Sequence, residues 1–274
     1  MEVKSLGHKT SLELNRSSGE VKDHGNYLCI KTPSRPDFFW GNYLLLAQAP
    51  KKGDFFELVK LYRSHFGDPN KQGFITITWD LSDAKPSISE FQSNGFQLDT
   101  SKILVTDSVK PHSNMNNSIE IREYDPNQNI DQYLDVHYDP KWSYGTDEEQ
   151  RSFMISSLRD FSSLPDNRQK KRIGAYINDK LVGDLGIFKV GNLIRFNNVS
   201  THRDFRRLGV CRRLVFEASN LGLTNPGATK LVMEADANYH AAKIYESLGF
   251  QHRETIYSLQ WLGAKFSNKN SDLP

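Results

Sequence analysis

Arg206-Arg207-Leu208-Gly209-Val210-Cys211 follows a strand-like segment, Leu193 to Thr201, and opens a helix-like one, Leu208 to Leu221. A strand, a basic glycine turn and a helix start, in that order, suit a bound diphosphate. The first amides of a helix have no partner inside it, and the helix dipole adds positive potential there, worth about 0.3–1 kcal/mol per exposed charge. Gly209 carries no Cβ, so an oxygen can approach its backbone closely. Arg203, Arg206, Arg207, Arg212 and Arg213 surround the turn and offer long-range attraction and bidentate contacts.

The same residues resemble the acyl-CoA signature of the GNAT-type N-acetyltransferases, Arg/Gln-x-x-Gly-x-Gly/Ala, written here as Arg206-x-x-Gly209-x-Cys211. Downstream, Asn238 and then Ala241-Ala242-Lys243-Ile244-Tyr245-Glu246-Ser247-Leu248-Gly249-Phe250 resemble the family's Asn-x-x-Ala-x-x-x-Tyr-x-x-x-Gly-Phe stretch. Either feature alone would be weak; the two in this order, with a helix and a strand between them, are specific. The likeness spans roughly residues 118–262, is clearest from Lys180 to Gln251 and is weak before Arg172. It implies an α/β (α+β) acyl-CoA N-acyltransferase fold, a mixed, mostly antiparallel twisted sheet flanked by helices.

Elsewhere the chain reads as two related halves. Shifted by 154 residues, Asn94-Gly95-Phe96-Gln97 falls on Leu248-Gly249-Phe250-Gln251, helix-like 55–66 on 209–220, and strand-like 74–79 and 27–31 on 228–233 and 181–185. A tandem pseudo-repeat is therefore expected, with a degenerate N-terminal domain over 1–112 and a catalytic domain over 118–274. The polar segment Lys110 to Ser118 reads as the linker. Residues 1–25 are polar and turn-rich and are expected to fray, and 38–46 reads as one strand. In the first half Phe55 stands at the position of Gly209, Asp54 sits at the helix start, Phe91 replaces Tyr245 and Ala84 replaces Asn238. That half lacks the features of the diphosphate site.

Composition narrows the function classes. Hydrophobic residues, 37% of 274, supply a core for one large domain or two modest ones. No apolar run is long enough for a membrane span, and Met1 to His8 is not a signal peptide, so a cytoplasmic location with no membrane partner is expected. Two distant cysteines, Cys29 and Cys211, argue against a disulfide framework. A net charge of +2 gives no reason to expect nucleic acid, and no His/Cys spacing suggests zinc, so no metal is expected.

The resemblance implies transfer of an acetyl group from acetyl-CoA to a primary amine of a small molecule or protein. Arg206, Arg207, Leu208, Gly209, Val210, Cys211 and Arg212 would hold the diphosphate, and backbone groups of Val199 and Thr201 would pair with the pantetheine arm. Asn238 resembles the side chain that bonds this arm, and an asparagine there also suits a helix N-cap. Tyr245 resembles the family's general acid; a phenol is protonated at neutral pH and suits a thiolate leaving group. Many relatives carry a glutamate on the strand before the turn, but Arg195 to Ser200 contains no carboxylate. Glu234, Asp236, Asp184 and a water chain stay open as the general base; His202 and His240 lie near the cleft by sequence. Cys211 departs from the family's small residue, and its thiol pKa is expected to fall beside the arginines, conceivably to the point of a mixed disulfide with coenzyme A. A non-catalytic acyl-CoA sensor and a tandem mycothiol-synthase-like acetyltransferase are the competing readings. The acceptor pocket draws on Phe38, Phe39, Trp40, Trp142 and Tyr144 as candidates, and the chain is expected to be a monomer or a homodimer.

Overall fold

A computed structural model describes residues 1–81, 86–141, 146–237 and 241–263. In chain order the elements of the first half are α1 (Leu6–Ser18), β1 (Glu20–Asp23), β2 (Tyr27–Lys31), β3 (Tyr43–Leu46), α2 (Phe55–Phe66), α3 (Pro69–Gln72), β4 (Phe74–Trp79), α4 (Ser89–Ser93) and β5 (Gln97–Thr106). There follow β6 (Glu120–Glu123), α5 (Ile130–His137), α6 (Asp147–Ser162), β7 (Lys171–Ile177), β8 (Lys180–Val190), β9 (Leu193–Thr201), α7 (Val210–Leu223), β10 (Lys230–Asp236), α8 (Ala241–Glu246) and β11 (Gln251–Leu262).

The chain forms two compact units, and they do not divide it at residues 112–118. One holds Met1–Ser101 together with the chain from Glu254, and the other holds Lys102–Arg253. The reason lies in two strands that leave the half encoding them. Leu104 of β5 is buried in the core of the second unit, among side chains of α7, β8 and β10. Leu259 and Trp261 of β11 are buried in the core of the first, and β11 pairs antiparallel with β4 from Ser258↔Thr78 to Leu262↔Phe74.

Each unit repeats one topology. In the first, β1, β2 and β3 are antiparallel neighbours, and β3 then runs parallel to β4 with α2 in the connection. In the second, β7, β8 and β9 are antiparallel, and β9 runs parallel to β10 with α7 in the connection. The 154-residue shift carries β2, β3, α2, β4 and α4 onto β8, β9, α7, β10 and α8. The structure is thus a tandem acyl-CoA N-acyltransferase fold with mostly antiparallel sheets. A short helix such as α2 must bury an amphipathic face to persist. Phe55, Val59 and Tyr62 provide that face.

In the first unit Phe55 stands at the position equivalent to Gly209 and packs with two further rings. Phe55, Phe91 and Phe96 are buried and pack edge-to-face, with centroids 5.3, 5.4 and 6.0 Å apart. In the second unit the matching helix lies close on its sheet. A Cβ on Gly183 of β8 would come within 2.7 Å of Val210 Cγ1 at the start of α7, so only glycine permits that approach.

Three segments differ from the sequence expectation, each for a hydrogen-bonding reason. Residues 6–18 do not fray; they form α1, with Ser5 as N-cap. Asp80 accepts from the amides of Lys4 and Ser5, while Glu254 accepts from Ser5 Oγ (2.8 Å), Leu6 N (3.0 Å) and Gly7 N (3.4 Å). Residues 38–42 leave strand geometry because the buried Asn42 side chain takes over their backbone. Its Oδ1 accepts from Thr32 N, and its Nδ2 donates to the carbonyls of Arg35 and Phe38. The expected linker is fastened to the second unit. Lys110 N donates to Leu248 O, Asn116 Nδ2 to Leu208 O (2.9 Å) and Arg213 Nη1 to Asn117 Oδ1.

Replacing Glu254 with Ala removes three accepted hydrogen bonds at the α1 N-terminus. It should lower stability by about 1–3 kcal/mol, the range for caps and charge-assisted hydrogen bonds. Urea unfolding checks this, and an unchanged midpoint would show that α1 holds without that carboxylate.

Candidate active site

β9 and β10 pair over only three residues, Leu193↔Lys230, Ile194↔Leu231 and Arg195↔Val232, although both strands run on to Thr201 and Asp236. The parting follows from a bulge. The β8–β9 register shifts between Asp184 and Gly186, and Asn198 sits at φ +47°. A bulge bends its strand and leaves backbone groups unpaired. The end of β9 then offers free strand edge to a ligand.

Beyond β9 the chain passes through a short helical turn at Arg203–Phe205 and reaches the arginine–glycine turn. Arg207 lies at φ +66° and Gly209 at φ +84°, both left-handed. Gly209 is the N-cap of α7 and, having no side chain, cannot itself cap the first-turn amides. The hydrogen bond from Asn116 to the Leu208 carbonyl holds the turn from behind.

These elements border a cleft of about 430 Å³. Val199, Thr201, Arg206, Arg207, Gly209, Val210, Cys211, Arg212 and Tyr245 all line it, which brings together most of the residues singled out from the sequence. Leu208 is exposed and is not among the lining residues. Two of the five arginines are engaged elsewhere: Arg203 with Asp135 at 3.3 Å and Arg213 with Glu217 at 2.8 Å. Asn238, His240, Trp142, Tyr144 and Ala84 fall outside the described residues. Phe39 and Trp40 lie tilted against each other at a centroid distance of 5.5 Å in the first unit.

Tyr245 is 4% exposed and packs 6.3 Å from the Phe250 ring while lining the cleft, so it has both a core and a cleft role. Glu234 is ion-paired with Arg195, and Asp236 is exposed at the end of β10; neither is among the described lining residues. His202 is a structural histidine. It is 1% exposed, bonds Asp135 through Nε2 (2.9 Å) and accepts from Asp204 N through Nδ1 (3.2 Å).

Asp184 is fully buried and cannot reach the cleft. It anchors a polar network instead. Tyr124 Oη donates to its Oδ1 (2.9 Å), the Arg172 guanidinium pairs with it, and His137 Nε2 lies 2.6 Å from its Oδ2. Arg172 and Asp184 sit diagonally across the β7–β8 ladder, within reach of long side chains. Burial pushes the Arg172 guanidinium and the His137 imidazole down, the latter well below the ordinary histidine value, with Arg172 adding to that shift. Burial also raises the Tyr124 and Tyr133 phenols. His137 ends α5 and lines the cleft, so this network reaches the site through one imidazole. The visible clue in the sequence is charge, Arg172 and Asp184, inside otherwise apolar strands.

Cys211 reverses its expectation. Burial pushes its thiol up to about 12, and Arg212 offsets this only in part. It packs against the hydrophobic core of the second unit. The mixed disulfide inferred from a lowered pKa loses its basis.

Comparison with known proteins agrees with this geometry. The family model described as an acetyltransferase (GNAT) domain matches residues 169–252. Residues 169–252 are a GNAT acetyltransferase domain. A functionally unknown conserved protein from Staphylococcus epidermidis superposes with a TM-score of 0.71 at 16% identity, covering 89% of this chain and 94% of its own. A GCN5-related N-acetyltransferase from Kribbella flavida gives a TM-score of 0.64 at 12% identity, covering 94% and 95%. A tandem GNAT protein from the clavulanic acid biosynthesis pathway gives 0.52 at 13% identity, covering 84% and 72%. These likenesses establish the fold, tandem arrangement included. No curated protein matches the chain. Among the described residues no helix is long and apolar enough to cross a membrane, and no cluster of three or more His, Cys, Asp or Glu is placed to hold a metal.

Cys211, half-buried at the cleft, and the buried Cys29 should both be silent in the native protein. Burial raises the Cys29 thiol as well. A thiol near 12 is only about one part in 10⁴ thiolate at pH 8. A disulfide-exchange dye should therefore titrate no thiol at pH 8 until urea is added. Rapid native reaction at Cys211 would contradict the burial.

Proposed function

We propose that this protein catalyses acetyl transfer from acetyl-CoA to a primary amine of a small molecule or protein. One observation carries the reading: the end of β9, where it parts from β10, the N-terminus of α7 and Tyr245 border a single cleft within one unit. The α7 amides, with Arg206, Arg207 and Arg212, would hold the diphosphate. The free edge of β9 at Val199 and Thr201 would pair with the pantetheine amides as an added strand does. The thioester then lies between the diverging strands. The amine attacks its carbonyl carbon, the C–N bond forms, the C–S bond breaks, and Tyr245 gives its phenolic proton to the departing thiolate. Asn238 lies in the segment expected to bond the pantetheine arm. Phe55 occupies the position of Gly209 in the first unit and is buried there, so the coenzyme site is assigned to the second unit.

Calorimetry with coenzyme A should give one site per chain. Tyr245→Phe should bind coenzyme A normally and lose about 10–1000-fold in turnover, within the span of general acid catalysis. Thiol release from acetyl-CoA measures this. Wild-type turnover in that variant would remove Tyr245 from the reaction. A chain that does not bind coenzyme A would defeat the reading as a whole.

A further inference from the structure

The carboxylates considered from the sequence do not serve the cleft well: Glu234 is ion-paired, Asp236 stands outside the lining residues and Asp184 is buried away from it. Among the described lining residues, two side chains can accept a proton at neutral pH, His137 and Asp139. Asp139 Oδ1 already accepts the Lys141 amide at 3.0 Å. His137 is differently placed. A ring nitrogen 2.6 Å from a carboxylate oxygen must carry the hydrogen, so Nε2 donates to Asp184. The lone pair is then on Nδ1, for which there is no hydrogen-bond partner among the described residues and which is not among the buried unpaired atoms.

We propose that His137 is the general base of the acetyl transfer, with Asp184 as its positioning residue. The inference rests on the transferase reading above. The amine proton passes to His137 Nδ1 as the C–N bond forms, and from there to solvent. The thiolate takes its proton from Tyr245, which is reprotonated from solvent, so the two transfers balance. Asp184 fixes the tautomer and offsets the imidazolium charge as it forms. The charged and titratable groups around the ring are Arg172 from β7, whose Nη2 lies 3.5 Å from Nε2, Asp184 from β8, Tyr133 from the same helix at 4.4 Å between centroids, and Tyr124 acting on Asp184. Burial and the Arg172 charge keep the imidazole neutral at pH 7, the form a base requires.

The test uses the full chain, acetyl-CoA, and hydroxylamine or water as probe acceptors. His137→Gln should keep its coenzyme A affinity by calorimetry and lose about 10²–10⁴-fold in kcat, the range for a general base. Long-range ¹H–¹⁵N spectra of the wild type should show His137 neutral at pH 7 with its proton on Nε2, a readout that needs no folded variant. A His137→Gln variant with wild-type kcat overturns the proposal, as does an Nδ1–H tautomer. So does a loss confined to Asp139→Asn. A wild type that binds coenzyme A yet releases no thiol defeats the transferase reading itself and this inference with it.

Discussion

The site depends on β9 and β10 ceasing to pair after three residues. While two parallel strands remain bonded, neither offers backbone to a ligand. Here the bulge at Asn198 turns β9 away, and its carbonyls and amides become available where the arginine–glycine turn begins. The same divergence lets the α7 N-terminus, the end of α5 and α8 border one space. Val210, Leu214 and Val215 seal α7 to the sheet through the gap left by Gly183.

The two units share one topology and differ at the start of one helix. Both have a helix crossing between parallel strands, and both follow it with a strand, a short helix and a Gly-Phe turn. In the second unit a left-handed glycine opens the helix start; in the first, Phe55 occupies the same place and turns it into core. One exchange, glycine for an aromatic residue, separates an open helix start from a packed one. The exchange of β5 and β11 between cores means that neither half of the sequence encodes a complete unit.

The buried Arg172–Asp184 pair is expensive as a purely structural device. Two desolvated charges seldom stabilise a fold more than apolar side chains of the same size. Here the pair is tied into a wider network: Arg172 pairs with Asp184 inside the sheet, Tyr124 takes one carboxylate oxygen, and His137 lies against the other.

From the sequence alone one could read the repeat, the order of strands and helices in the second half, and the arginine–glycine turn at the start of α7. Those rest on local patterns: hydrophobic period, glycine at a helix start, and spacing within one segment. Tertiary structure decided what involves partners distant in sequence. Asp80 and Glu254 make α1 a helix where residues 1–25 alone look loose, and burial raises the Cys211 thiol where neighbouring arginines alone suggest the opposite. His137 and Asp184 are 47 positions apart and carry no motif, so their contact exists only once α5 packs on β8. Backbone preference is written in neighbouring residues; desolvation and long-range hydrogen bonds are written only in the fold.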